Sequence, residues 1–161
     1  MPLHPAIVHL PIGLALVMPF LAAGLAFAIW RGKLPALAFG IVVGLQAAAL
    51  GAGFAAYATG GDDQRKVERV VAEKVIEAHE EAAELYLWSQ AVALALAAGV
   101  LAARGKAVRV ALGVAIAASA GVSALALRAG TVGGELVYRH GAASVFVSEP
   151  PVIQPVSRDG D

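Results

Sequence analysis

Four stretches of this chain, at about positions 5–30, 34–59, 85–103 and 107–127, are long and apolar enough to cross a membrane. A hydrocarbon layer of about 30 Å needs roughly 20 helical residues, and no backbone polar group can go unpaired inside it. A chain with four such stretches is restricted to helices packed on helices. The composition agrees, with 59% hydrophobic residues, 15% charged residues and a mean hydropathy of +0.74, more apolar than a soluble domain. These features predict an all-α integral membrane protein, an antiparallel four-helix bundle. The transmembrane domain is expected over 1–147. The tail over 148–161, "SEPPVIQPVSRDGD", has three prolines and no periodicity, so it is expected to be extended and extramembrane. The opening "MPLHPAIVHL" has no basic leader, and no A-x-A pattern ends the first apolar run, so the first span is expected to be retained.

The joining segments set the orientation. "WRGKLP" and "ARGKAVR" supply Arg31, Lys33, Arg104, Lys106 and Arg109 with no acid among them, whereas all twelve acidic residues lie between spans two and three or after span four. The connection between spans two and three also carries Arg65, Lys66, Arg69 and Lys74. By the positive-inside rule the two short basic loops are cytoplasmic and both termini face outward.

Several chemistries drop out early. Cysteine is absent, which excludes disulfides, thiolate-held clusters, thiolate zinc sites and covalent haem attachment. A formal charge of zero gives no basis for a nucleic-acid partner. Ser89, Ser119, Ser123, Ser144, Ser148 and Ser157 sit in no nucleophile motif, and "TGGDDQRK" lacks the spacing of a phosphate-binding loop. The expected role is that of a carrier or subunit, not a stand-alone catalyst. Gln46 stands out as the one strong hydrogen-bonding side chain near mid-membrane, beside small Gly40 and Gly44, and its expected use is helix packing.

The histidines carry the remaining chemistry. His4 and His9 begin span one, His79 precedes span three and His140 follows span four, so an even number of spans gathers all four at one face. The run "DDQRKVERVVAEKVIEAHEEAAELYLWSQ" reads as a helix capped by Asp62 or Asp63 and continuous with span three. From 65 to 103 such a rod is about 58 Å long, so the third helix is expected to extend roughly 20 residues beyond the membrane. On it, Val75, Ile76, Ala82 and Ala83 neighbour His79, which therefore looks inward, while Glu73, Glu77, Glu80, Glu81 and Glu84 form a solvated stripe. His9 falls about 6 Å below the helix start near Pro5, next to Ile12 and Gly13, and His4 reads as a helix-start residue at headgroup level. His140 follows Gly130, Gly133 and Gly134, with Tyr138 and Arg139 as interface anchors.

"LHPAIVHLPIGL" and "GGELVYRHG" together resemble the signatures of a family of small bacterial four-span membrane proteins, domain-of-unknown-function family 2231. Its members begin with an HPxxVHFP-like stretch and close with a GGxLVYxHG-like one. Leu10 stands where phenylalanine is usual, and His4, His9 and His140 fall on the motif positions. The resemblance implies a multi-pass protein of the bacterial inner membrane. Relatives joined to Rieske or cytochrome modules imply redox chemistry at the outer face, with a protein of that type or a quinone as partner.

Three roles follow. Two imidazoles from separate helices hold b-type haem for electron transfer; or three or four imidazoles bind bare copper or zinc; or the protein is a scaffold subunit whose histidines pack against a larger complex, and oligomers are open to it. In the first two, His9 and His79 are the expected pair across the bundle, with His4 and His140 as a second pair or as support. With every histidine at one level, electrons are expected to pass along the outer surface or from quinol at the interface to a soluble acceptor.

Overall fold

In a computed structural model of the chain, residues 3–147 are described; the proline-rich tail lies outside them. A short helix α1 (His4–Ile7) leads into α2 (His9–Trp30), a 3-10 turn (Ala36–Phe39) leads into α3 (Gly40–Val67), and α4 (Glu73–Ala102) and α5 (Ala107–Tyr138) follow, closed by a 3-10 turn (Ala142–Phe146). Helix α2 packs on α3 and α5, and α4 packs on the same two. Short connections reverse the chain each time, so the four long helices form an antiparallel ring in chain order. All four are long and apolar enough to span a membrane.

Proline explains two local features of the first span. Pro11 has no N–H for the Ile7 carbonyl one turn back, and the helix is interrupted at Val8, between α1 and α2. Pro19 sits inside α2 and leaves the Ala15 carbonyl without its helical donor. The Ser123 hydroxyl on α5 fills that gap, donating to the Ala15 oxygen at 2.6 Å, as an apolar medium requires.

The core is built mainly from small residues. Met18, Ala22, Phe39, Val42, Ala97, Val100 and Leu112 pack near the basic-loop end, and Ala15, Ala82, Tyr86, Leu87, Val122 and Ala126 pack toward the other. Alanine at the contacts lets helix axes approach closely, where dispersion and interhelical hydrogen bonds replace the missing hydrophobic drive.

Between these clusters lies a polar layer that corrects the reading of Gln46 as a lone glutamine. Gln46, Gln90 and Ser119 are all fully buried. The Gln90 amide donates to the backbone and side-chain oxygens of Gln46. Gln46 Nε2 donates to Ser119 Oγ at 3.1 Å, and Ser119 Oγ donates to the Ala115 carbonyl at 2.9 Å. Gln90 Oε1, at the head of this chain of donors, has no partner among the described residues.

The expected continuous rod from 65 to 103 is also corrected. Helix α3 runs on through "GGDDQRKV" to Val67, so Asp62 and Asp63 are interior residues, paired with Arg65 and Lys66 at 3.7 Å each, and not caps. The chain leaves the helix at Glu68 and re-enters at Glu73, with Ala72 extended. The reason is Val71, which is buried with Ile76, Leu136 and Ala142 in a small cluster at this end of the bundle. A straight helix would not return Val71 to those partners. The overhang is thus shared: α3 has 28 residues, α4 has 30 and α5 has 32, each well beyond the roughly 20 needed to span.

Candidate functional site: a histidine pair at the open end

His4 is the first residue of α1, set on helical backbone just ahead of Pro5. His79 lies in the second turn of α4. Antiparallel packing carries both to the end of the bundle where α3 and α5 finish, and there the two rings meet. Their centroids are 6.1 Å apart with planes at 82°. His4 Nδ1 lies 2.7 Å from the Ala56 carbonyl on α3, which can only accept, so Nδ1 carries the proton and Nε2 the lone pair. Thr59 donates its hydroxyl to the same carbonyl at 3.0 Å.

Two glycines make room for the rings. A β-carbon at Gly60 on α3 would stand 3.1 Å from His4 Nδ1, and one at Gly133 on α5 would stand 2.8 Å from His79 Cε1. Both glycines stay helical, so the glycine-rich run after Arg128 is not a turn; α5 continues through it to Tyr138. Among the described residues His79 Nδ1 is buried without a well-formed hydrogen bond, although the Ala129 backbone on α5 lies close enough to interact with the ring.

The other two histidines are placed differently. His9 is exposed. The buried face of α2 carries Pro11, Ala15, Met18, Ala22 and Ala26, and at 100° per residue His9 points the other way, along the stripe of Gly13, Phe20 and Phe27. The ring that faces His79 is therefore that of His4, not His9. Whether position 4 or 9 faced the core depended on the phase of α2, which its interruption at Val8 obscured. His140 is exposed just past α5. Among the described residues no three His, Cys, Asp or Glu side chains come together as a metal site. An apolar groove between α4 and α5, lined by Gly99, Ala103, Ala107 and Val110 among others, lies at the opposite end and has no titratable lining residue.

Sequence reasoning missed Gln90, Ser119 and Ser123 as members of a bonded layer, and Tyr86, whose hydroxyl donates to the Pro11 carbonyl at 3.3 Å. The signal available was spacing from the loops. Gln90 lies 12 residues before the end of α4, and Ser119 lies 12 residues after the start of α5, which puts both at one depth.

Neither a curated protein nor a solved structure matches the chain. A family model does, that of DUF2231, described as "Predicted membrane protein", over residues 1–145. The chain belongs to the DUF2231 family of membrane proteins.

Proposed function

We propose that His4 and His79 would hold a b-type haem and that the protein is an electron carrier at the outer face of the bacterial inner membrane. The observation that carries this reading is the ring separation of 6.1 Å with nearly perpendicular planes. Two imidazoles on opposite sides of one iron, each bonded at about 2 Å, have ring centres roughly 6 Å apart. The glycines against both rings fit a pair of ligands held in place. Haem needs only two protein ligands, whereas bare zinc or copper is usually held by three or four.

The chain's own residues orient and shelter this pair. The Ala56 carbonyl fixes the tautomer of His4, as a carbonyl that accepts from the other ring nitrogen does for metal-bound histidine. Ile76, Ala82 and Tyr86, buried around His79 on α4, keep water from its inner side. The haem, when bound, supplies one-electron chemistry. One heme level serves one face of the bilayer, so charge leaves through a partner, a Rieske- or cytochrome-type protein or a quinone.

The test is an absorption spectrum after mild detergent extraction, with metal analysis of the same sample. A Soret band that is lost in His4→Ala and in His79→Ala but kept in His9→Ala is the expected result. Full haem absorbance in both of the first two variants, or stoichiometric copper or zinc without a Soret band, overturns the reading. Orientation has its own test, because the chain has no cysteine. Lys33→Cys should resist, and Gly141→Cys should accept, an impermeant thiol reagent added to whole cells.

A further inference from the structure

We propose that the exposed α3–α4 surface at the outer end of the bundle, formed by Tyr57 and Glu84 above Phe54 and Trp88, binds the headgroup of a membrane quinol. The inference rests on the haem reading for its purpose, since it names the electron donor, but not for its test.

Glu84 lies 18 residues before the end of α4, about 27 Å along the helix from the basic-loop end. That is close to the far edge of a hydrocarbon layer of about 30 Å. An exposed carboxylate at this depth is costly without a partner. No lysine or arginine pairs with it among the described residues. Its partner is the Tyr57 hydroxyl on α3, which donates to Glu84 Oε1 at 2.8 Å. One oxygen of the carboxylate thus remains to accept from outside the protein.

Beneath this polar rim the surface turns aromatic. Phe54 lies one helical turn deeper than Tyr57, and Trp88 one turn deeper than Glu84, at 57% and 73% exposure. Spacings of three and four residues put each on its partner's side of the helix. A ligand suited to this surface has a flat ring, a hydroxyl to donate at the interface and an apolar tail, and it arrives by diffusion within the lipid. A quinol has all of these. Tyr57 directly follows Ala56, whose carbonyl holds His4, so the site and the histidine pair share one turn of α3.

The experiment uses the full chain in phosphatidylcholine nanodiscs, without oxygen. The protein has two tryptophans, Trp88 at the proposed site and Trp30 at the opposite end of the bundle. Single-tryptophan variants Trp30→Phe and Trp88→Phe report each end separately. Decylubiquinone, which has no hydroxyl to donate and serves only as a diffusing quencher, should quench both tryptophans in proportion to its concentration in the lipid, and decylubiquinol should saturably protect Trp88, but not Trp30, from that quenching. Glu84→Gln in the Trp30→Phe background should need about tenfold more quinol for the same protection, or more still. Protection of Trp88 that does not saturate with quinol, or protection at the same quinol concentration in Glu84→Gln, overturns the proposal. A Soret band recorded on the same discs reports the haem reading independently, so either can fail alone.

Discussion

Gly133 faces His79 so closely that a β-carbon at position 133 would stand 2.8 Å from the ring's Cε1. The clash is with the far end of a side chain and not with backbone, so the ring can swing away. Alanine is also a better helix former than glycine by up to about 1 kcal/mol. Gly133→Ala should therefore keep or raise the melting temperature while moving the His79 ring. Histidine NMR shifts, or loss of haem absorbance without loss of helicity, check this; an unmoved ring would show that the glycine is not what seats it.

Ser123 and Pro19 should be coupled. Ser123→Ala leaves the Ala15 carbonyl with no donor, at a cost of about 1–2 kcal/mol in the membrane interior. Pro19→Ala supplies a backbone N–H to that carbonyl, so the double variant should be less destabilised than Ser123→Ala alone. Unfolding by titration with a denaturing detergent, followed by circular dichroism, gives the cycle; strict additivity would contradict the link.

Gln46→Leu should destabilise more than Gln90→Leu, although both residues are fully buried. Gln46 is both donor and acceptor in the chain of bonds, and its loss strips Gln90 of a side-chain acceptor. Gln90→Leu also removes an acceptor that has no partner, which offsets part of the loss. The expected gap is on the order of 1 kcal/mol in the same unfolding measurement, and the reverse order would refute this account of the layer.

Val71→Ala should act locally. Val71 closes the cluster with Ile76, Leu136 and Ala142 at the histidine end of the bundle, and truncating it should weaken that cluster by about 2 kcal/mol. Hydrogen exchange should quicken over residues 68–76 while the amides around Gln46 and Gln90 stay protected. Uniform loss of protection along α3 and α4 would mean that the cluster supports the whole bundle.

How much of this was legible in the sequence differs by region. The four spans were, because length and apolarity alone force them, and so was the gathering of the histidine-bearing segments at one end, because four spans return the chain to the side where it began. The break at 68–72 was not. Nothing in "KVERVVAEKV" is a strong helix breaker, and the turn exists to bury Val71 against residues more than 60 positions later. The choice between His4 and His9 was hidden for a related reason: Pro5 and Pro11 made the start and phase of the helix ambiguous. Gln90 went unpaired because partners in a bundle are set by depth, which is read from the loops and not from neighbours in sequence.

The layer of Gln46, Gln90 and Ser119, with Ser123 one turn further on α5, ties all four long helices together at one depth. Sliding any helix along its axis by one turn would move a buried amide or hydroxyl away from its acceptor into a surrounding of alanine and valine methyls. Tilting the helices about that depth preserves the bonds. The bundle is thus clamped at its waist like the rivet of a pair of scissors, and small angular motions there become the largest displacements at the far ends, where His4 and His79 face each other.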